Sequence, residues 1–306
     1  MNNNIHRMDA IAFLTTLQLV VIDRLHSCKI VAFGSGFMLN HNGHLFLVTA
    51  DHVIHPDDHD ANNENAQRKH INYSIEIITN INDLENLRSV NLRGGDFYYF
   101  TGHRYDMNVD ANDFSKIFDK IIKNDINIDD ESLPIGVRIP DLMDIAISKL
   151  KFPLDIKLLS NQVVLQNGEI LIEHGTSKLI INTQCIKSFN CNSKYLVAGV
   201  IKNDIKNSIK LIRENVIHGD LIFESFDNNG YAILKTNEEA DIKRWEGLSG
   251  APILDENGYL AGMLIRGPLT EQYLTAVPID KIINFLDVII SNEEINNNLT
   301  SLNLFP

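Results

Sequence analysis

Four Asn-Gly pairs constrain this chain more than any other feature: Asn42-Gly43, Asn167-Gly168, Asn229-Gly230 and Asn257-Gly258. A tight hairpin turn needs positive φ angles, and Asn and Gly adopt them at the lowest steric cost. Strand-like sequence flanks the pairs. Val163-Val164-Leu165 precedes the second and Ile170-Leu171-Ile172 follows it. Tyr231-Ala232-Ile233-Leu234 follows the third. Ile253-Leu254 precedes the fourth, and Leu260-Ala261-Gly262-Met263-Leu264-Ile265 follows it. Short strands joined by repeated tight turns predict an all-β chain built as an antiparallel barrel or sandwich. Further strands are predicted over 19–22, 30–39, 45–49, 73–78, 97–100, 144–150, 179–183, 195–200 and 221–226. Helical spacing is confined to 9–19, to 113–122 and to a stretch from Pro278 to Leu286 that has Pro near its start. The Asn-rich stretch after Ser291 reads as a loose tail.

With 306 residues the chain is long enough for one large domain or two packed halves. Its net charge of −13 opposes a phosphate backbone as main partner, since that requires clustered Lys and Arg. It also weighs against an anionic membrane surface. Neither a nucleic-acid nor a membrane partner is expected. The odd cysteine count (Cys28, Cys185 and Cys191) fits reduced thiols better than a disulfide framework. The apolar stretch 11–22 is broken by Thr15, Thr16 and Gln18 and has no basic cluster before it, unlike a secretory leader. No segment reaches the ~18 apolar residues of a membrane span. A cytoplasmic location is the expectation.

Three stretches each set one chemically capable residue beside apolar, strand-like sequence. They are Leu47-Val48-Thr49-Ala50-Asp51-His52-Val53, Asp144-Ile145-Ala146-Ile147-Ser148-Lys149-Leu150 and Gly247-Leu248-Ser249-Gly250-Ala251-Pro252-Ile253. A serine hydroxyl is a poor nucleophile unless a base takes its proton and a carboxylate holds that base in the right tautomer. His52, Asp144 and Ser249 can fill these roles. Attack on a carbonyl also needs donors for the developing oxyanion. The glycines of 247–250 allow a sharp turn that aims the amides of Gly247 and Ser249 at one point.

These blocks carry a resemblance. Gly34-Ser35-Gly36-Phe37, Val48-Thr49-Ala50-Asp51-His52-Val53, Asp144-Ile145-Ala146-Ile147, Gly247-Leu248-Ser249-Gly250-Ala251-Pro252 and Gly258-Tyr259-Leu260-Ala261-Gly262 resemble, in order, the motifs of the trypsin-like (chymotrypsin-fold) serine peptidases. The likeness is strongest to the intracellular bacterial branch, which lacks disulfides. The matching blocks lie between about residues 19 and 286. The resemblance implies two antiparallel six-stranded β-barrels, 1–155 and 156–306, with a helical insertion in the first half and a closing helix at the C-terminus. It implies a serine endopeptidase acting on polypeptides through an acyl-enzyme, without metal or cofactor. His52 would be the base, Asp144 its orienting partner and Ser249 the nucleophile, with an oxyanion hole at Gly247 and Ser249.

The chain departs from the pattern. Asp51 stands where a small residue is usual. Ala251 replaces a glycine. Leu248 replaces the Asp that pairs with a freshly cut amino terminus in secreted relatives, so that activation route is not expected. Ile265 falls where many relatives have a Ser that supports the Asp. The insertion between His52 and Asp144 is long. Lys243, six residues before Ser249, falls at the family's pocket floor, where it would favour an acidic side chain in the substrate; Arg266 and Gly267 would line the same pocket.

Asp51 and Ile265 motivate a second reading. In it the chain is a weak or silent peptidase-like scaffold that binds a partner or awaits activation by a protein regulator, with a role in bacterial defence or stress by analogy to the family. The plainer alternatives for the individual residues are a turn serine at 249, a buried histidine at 52 and a strand-edge carboxylate at 144, where Asp141 competes. His55 and His59 have a metal-compatible spacing only if helical, and their Asp-rich setting reads as a solvated loop. Ser35 between two glycines reads as a strand residue, because the Lys of a phosphate loop does not follow.

Overall fold

The computed structural model describes residues 2–23, 29–55, 73–80, 87–90, 94–99, 144–151, 154, 157–165, 168–206, 210–238, 241–268 and 272–302. The fold is mostly β. Helix α1 (Asn2–Thr15) leads into β1 (Thr16–Asp23), β2 (Lys29–His41), β3 (His44–Thr49), the one-turn helix α2 (Asp51–Ile54), β4 (Tyr73–Asn80), β5 (Leu87–Val90), β6 (Gly94–Tyr99) and β7 (Ala146–Leu150). Short strands β8 (Val163–Val164), β9 (Ile170–Ile172) and β10 (Ile181–Asn182) follow. The second half comprises β11 (Lys194–Lys206), β12 (Lys210–Phe226), β13 (Ala232–Lys235), β14 (Pro252–Asp255), β15 (Leu260–Arg266) and β16 (Tyr273–Pro278), with helix α3 (Ile279–Leu302) at the end.

The second half closes into an antiparallel six-stranded barrel, β11-β12-β13-β16-β15-β14, with β14 pairing back onto β11. The first half is a sheet whose described strands run in the open order β5-β4-β1-β2-β3-β7-β6, with β10 parallel to β2. The expected pair of closed barrels is thus met by one closed barrel and one open sheet among the described residues.

The Asn-Gly signals act in two ways. Asn42 (φ 50°) and Gly43 (φ 80°) both lie at positive φ and join β2 to β3 with His41 opposite His44. At the third and fourth pairs only the glycine is at positive φ: Gly230 at 77° and Gly258 at 89°. There an aspartate organises the turn. Asp227 accepts from the amides of Asn229 and Tyr231, and Asp255 from those of Asn257 and Tyr259. The sequences Asp227-Asn228-Asn229-Gly230-Tyr231 and Asp255-Glu256-Asn257-Gly258-Tyr259 are one turn used twice, the Asp side chain satisfying amides that the hairpin leaves open.

Two boundaries differ from expectation. The first helix ends at Thr15 rather than near 19, because Leu17, Leu19 and Val21 are committed to β1 between β2 and β4. Thr15 and Thr16 mark the switch by donating back to the carbonyls of Ile11 and Ala12. The expected loose tail is instead the end of α3, which continues to Leu302. The helix expected over 113–122 lies outside the described residues.

One apolar core unites Leu17, Leu19, Phe37 and Val48 of the first sheet with Met263 and Val277 of the barrel wall and Ile282 and Phe285 of α3. A second fills the barrel with Val197, Leu221, Leu234, Leu248, Ile253 and Leu274. The shared core clamps the two halves together, and the residues of interest converge along that seam.

Candidate active site

Helix α2 follows β3 after Ala50 alone, so His52, its second residue, sits just past the end of a buried strand. Asp144 grips it at two points. Its Oδ1 accepts from the His52 main-chain amide at 3.0 Å, and its Oδ2 faces His52 Nδ1 at 2.6 Å. Facing a carboxylate, Nδ1 carries the ring proton, which makes Nε2 the basic nitrogen. The Asp144 side chain is 9% exposed and that of His52 is 30% exposed, so the carboxylate is shielded while the imidazole reaches solvent. The Asp144 amide donates to the Tyr231 hydroxyl at 2.9 Å, an inter-half link from the β12–β13 hairpin.

Asp51 does not face its neighbour's imidazole as an isolated charge. It is buried and bonded at 2.7 Å to Nδ1 of His55, the residue that caps the end of α2. This occupies His55 at the helix end; His59, its expected metal-binding companion, lies outside the described residues.

Ser249 is placed by β2. The Ser35 amide donates to the Ser249 carbonyl at 2.7 Å, and Ser35 Oγ donates to the Gly247 carbonyl at 2.7 Å. Thr49 Oγ1 in turn donates to the Ser35 carbonyl at 2.7 Å. Ser35 therefore straps the serine loop to the sheet that carries His52. The glycines around it are sterically required. A Cβ at Gly34 would lie 2.5 Å from Val53, beside His52, and 3.2 Å from the Ser249 carbonyl. A Cβ at Gly250, where φ is +90°, would lie 2.0 Å from the Ser35 carbonyl. Val53, the residue after His52, and the Ser249 carbonyl thus both lie against Gly34 of β2.

Within the loop, Leu248, Gly250 and Ala251 spend their amides on the carbonyls of Trp245, Leu264 and Leu248. Among the described residues the amides of Gly247 and Ser249 donate to no backbone carbonyl outside regular elements, which suits them to an external acceptor. Gly247 lies at φ +105°, and a Cβ there would strike Phe33 at 2.4 Å. Ser249 Oγ itself donates to the Ile265 carbonyl at 3.2 Å. Leu248 is fully buried in the barrel core, where the charge of an Asp could not be tolerated without a partner.

The expected pocket residues lie in two segments, 242–244 and the end of β15. Lys243 lies in a single 3-10 turn, 242–244, with its amide on Asp241 Oδ1. Arg266 ends β15 and is exposed. Gly267 packs on Trp245, where a Cβ would lie 2.5 Å from that residue's Cβ. The buried Trp245 stacks on His218 at 3.7 Å between ring centroids. His218 bonds Glu238 and the Arg244 carbonyl, each at 2.9 Å, and Arg244 pairs with Glu238 at 3.1 Å. From sequence Ser35 reads only as a strand residue of its motif, and Tyr231 and the His218-Trp245 pair are not singled out. Tyr231 acts across 87 residues of chain and His218 across 26, beyond the reach of a local pattern.

No protein-family profile and no curated protein sequence matches this chain. Among solved structures it is similar to the serine endoprotease from Yersinia pestis, at 16% identity and a TM-score of 0.42, over 95% of this chain and 67% of that one. It is also similar to the MamO protease domain from Magnetospirillum magneticum in its apo form, at 11% identity and a TM-score of 0.41, over 92% of this chain and 98% of that one. Likeness at this level assigns no residue roles. Among the described residues no helix is long and apolar enough to cross a membrane.

Proposed function

We propose that this chain is a serine endopeptidase of the trypsin-like type, acting on polypeptide substrates. The two-point hold of Asp144 on His52 supports this reading most directly, since it selects the tautomer that a general base requires. His52 Nε2 takes the Ser249 proton as Oγ attacks the scissile carbonyl. The amides of Gly247 and Ser249 receive the oxyanion; each such donor typically contributes about 3 kcal/mol to the transition state. Collapse of the tetrahedral intermediate releases the amine, protonated by His52, and leaves an acyl-Ser249 that water hydrolyses. Lys243, Arg266 and Gly267 border the substrate's side-chain pocket in this reading, with acidic side chains favoured.

A second reading follows from the Ser249 Oγ bond to the Ile265 carbonyl. Here the hydroxyl is engaged elsewhere at rest, and the chain acts as a scaffold or awaits a protein regulator that re-aims it. A fluorophosphonate probe separates the two. Labelling of wild type and not of Ser249→Ala supports the peptidase. Equal labelling of both, or none of the wild type, removes it.

A further inference from the structure

A cavity of about 380 Å³ lies along the seam between the two halves, lined by residues of α1, β1, β4, the 158–178 segment, β11 and β12. Its size falls in the usual range for small-molecule sites, about 300–1,000 Å³. Thr16, Gln18, Thr79, Asn161 and Asn215 line it with hydroxyls and carboxamides, and Lys178 contributes an ammonium. Lys178 Nζ donates to the carbonyls of Phe13 and Thr16, each at 2.8 Å. These bonds tie the end of α1 to the 158–178 segment and use two of the three ammonium protons. Among the described residues no Asp or Glu lines the cavity. Burial lowers the Lys178 pKa to about 8, the mark of a cation whose desolvation no carboxylate offsets.

We propose that this cavity binds a small organic carboxylate, seated on the Lys178 ammonium, and that its occupancy controls the geometry of the 247–250 loop. A single cation matches a single negative charge, whereas a phosphate dianion would exceed it. The Asn and Gln carboxamides supply further donors, and Phe13, Leu159 and Val200 provide apolar surface for the ligand's body. The cavity wall is also the support of the serine loop. A Cβ on Gly199 would lie 2.8 Å from Leu248 Cδ2, and a Cβ on Gly247 would lie 3.1 Å from the Val200 carbonyl. Thr16 Oγ1 lies 2.8 Å from the Ala198 carbonyl of the same strand, sharing its one proton between that carbonyl and the Ala12 carbonyl. A ligand that moves Gly199 and Val200 moves the oxyanion donors. The control part rests on the peptidase reading; the binding part does not.

Calorimetric titration of the full chain with benzoate and with N-acetylphenylalanine, each against its neutral amide, tests the site. At least one carboxylate is expected to bind saturably, and its amide at least tenfold more weakly. Lys178→Met is expected to lose binding at least tenfold. Asn215→Asp, on the exposed rim, is expected to do the same without touching the Lys178 hydrogen bonds, so a folding defect in the first variant does not decide the result. Absence of binding by both carboxylates, equal binding of acid and amide, or Asn215→Asp behaving as wild type would overturn the site. Saturating carboxylate is also expected to change the fluorophosphonate labelling rate of Ser249 at least threefold. An unchanged rate with binding intact overturns the control. Carboxylate binding that persists when wild type never labels sinks the peptidase reading and leaves the site standing.

Discussion

Asp144 makes two different hydrogen bonds to His52, and an amide can replace only one of them. In Asp144→Asn the side-chain oxygen still accepts from the His52 amide, but the NH₂ now meets Nδ1 and enforces the wrong tautomer. Loss of the orienting carboxylate typically lowers turnover about 10⁴-fold. The variant is therefore expected to unfold near wild type in denaturant while its fluorophosphonate labelling drops by that order. Ser35→Ala tests the strap on the loop. It leaves the Gly247 carbonyl without its hydroxyl donor, and an unsatisfied buried group costs about 1–3 kcal/mol. Denaturant unfolding should record that loss, with slower labelling. Full stability with unchanged labelling would show that the strap does not place the loop.

At the scale of elements, the two kinds of positive-φ glycine separate cleanly. Gly43 has nothing within 4 Å of a built Cβ, so Gly43→Ala meets only backbone strain of about 1–2 kcal/mol. Gly250→Ala adds a clash with the Ser35 carbonyl at 2.0 Å, where backbone must move. Thermal denaturation should show a modest shift for the first, while the second is expected not to accumulate in folded form. The same contrast explains what the sequence revealed. Asn-Gly pairs and alternating apolar runs locate hairpins because turn chemistry is local. The end of α1 was not legible, since a helical and a strand pattern overlap across 15–19 and pairing with β2 and β4 decides between them. The end of α3 was missed for a related reason: Asn-rich composition argues for a tail, whereas the helix simply propagates from an anchored core segment.

Across the whole molecule, the candidates His52, Asp144 and Ser249 each sit in a short sequence block, and the structure joins the first two directly. The residues that hold them in place have no such local signature. Tyr231 and Ser35 act across 87 and 212 residues of chain, and no local pattern encodes such reach. Lys178 is likewise a long-range tie, 165 residues from Phe13. Its folded pKa, about 8, lies below the ordinary 10.5, so between these values the unfolded chain binds more protons. Stability then rises with pH through that interval. Wild type is expected to gain stability between about pH 8 and 10 relative to Lys178→Met, measured as the difference between their denaturation midpoints. A flat difference would place the Lys178 charge in solvent.

The proposed function makes Ser249 a nucleophile activated by His52. Mass-spectrometric mapping of the fluorophosphonate adduct, alongside peptide-library cleavage by wild type and Ser249→Ala, is the decisive test. A single adduct on Ser249 is expected, formed in wild type and abolished by His52→Ala, with cleavage present only when Ser249 is intact. An adduct on another residue, or cleavage retained in Ser249→Ala, would contradict it.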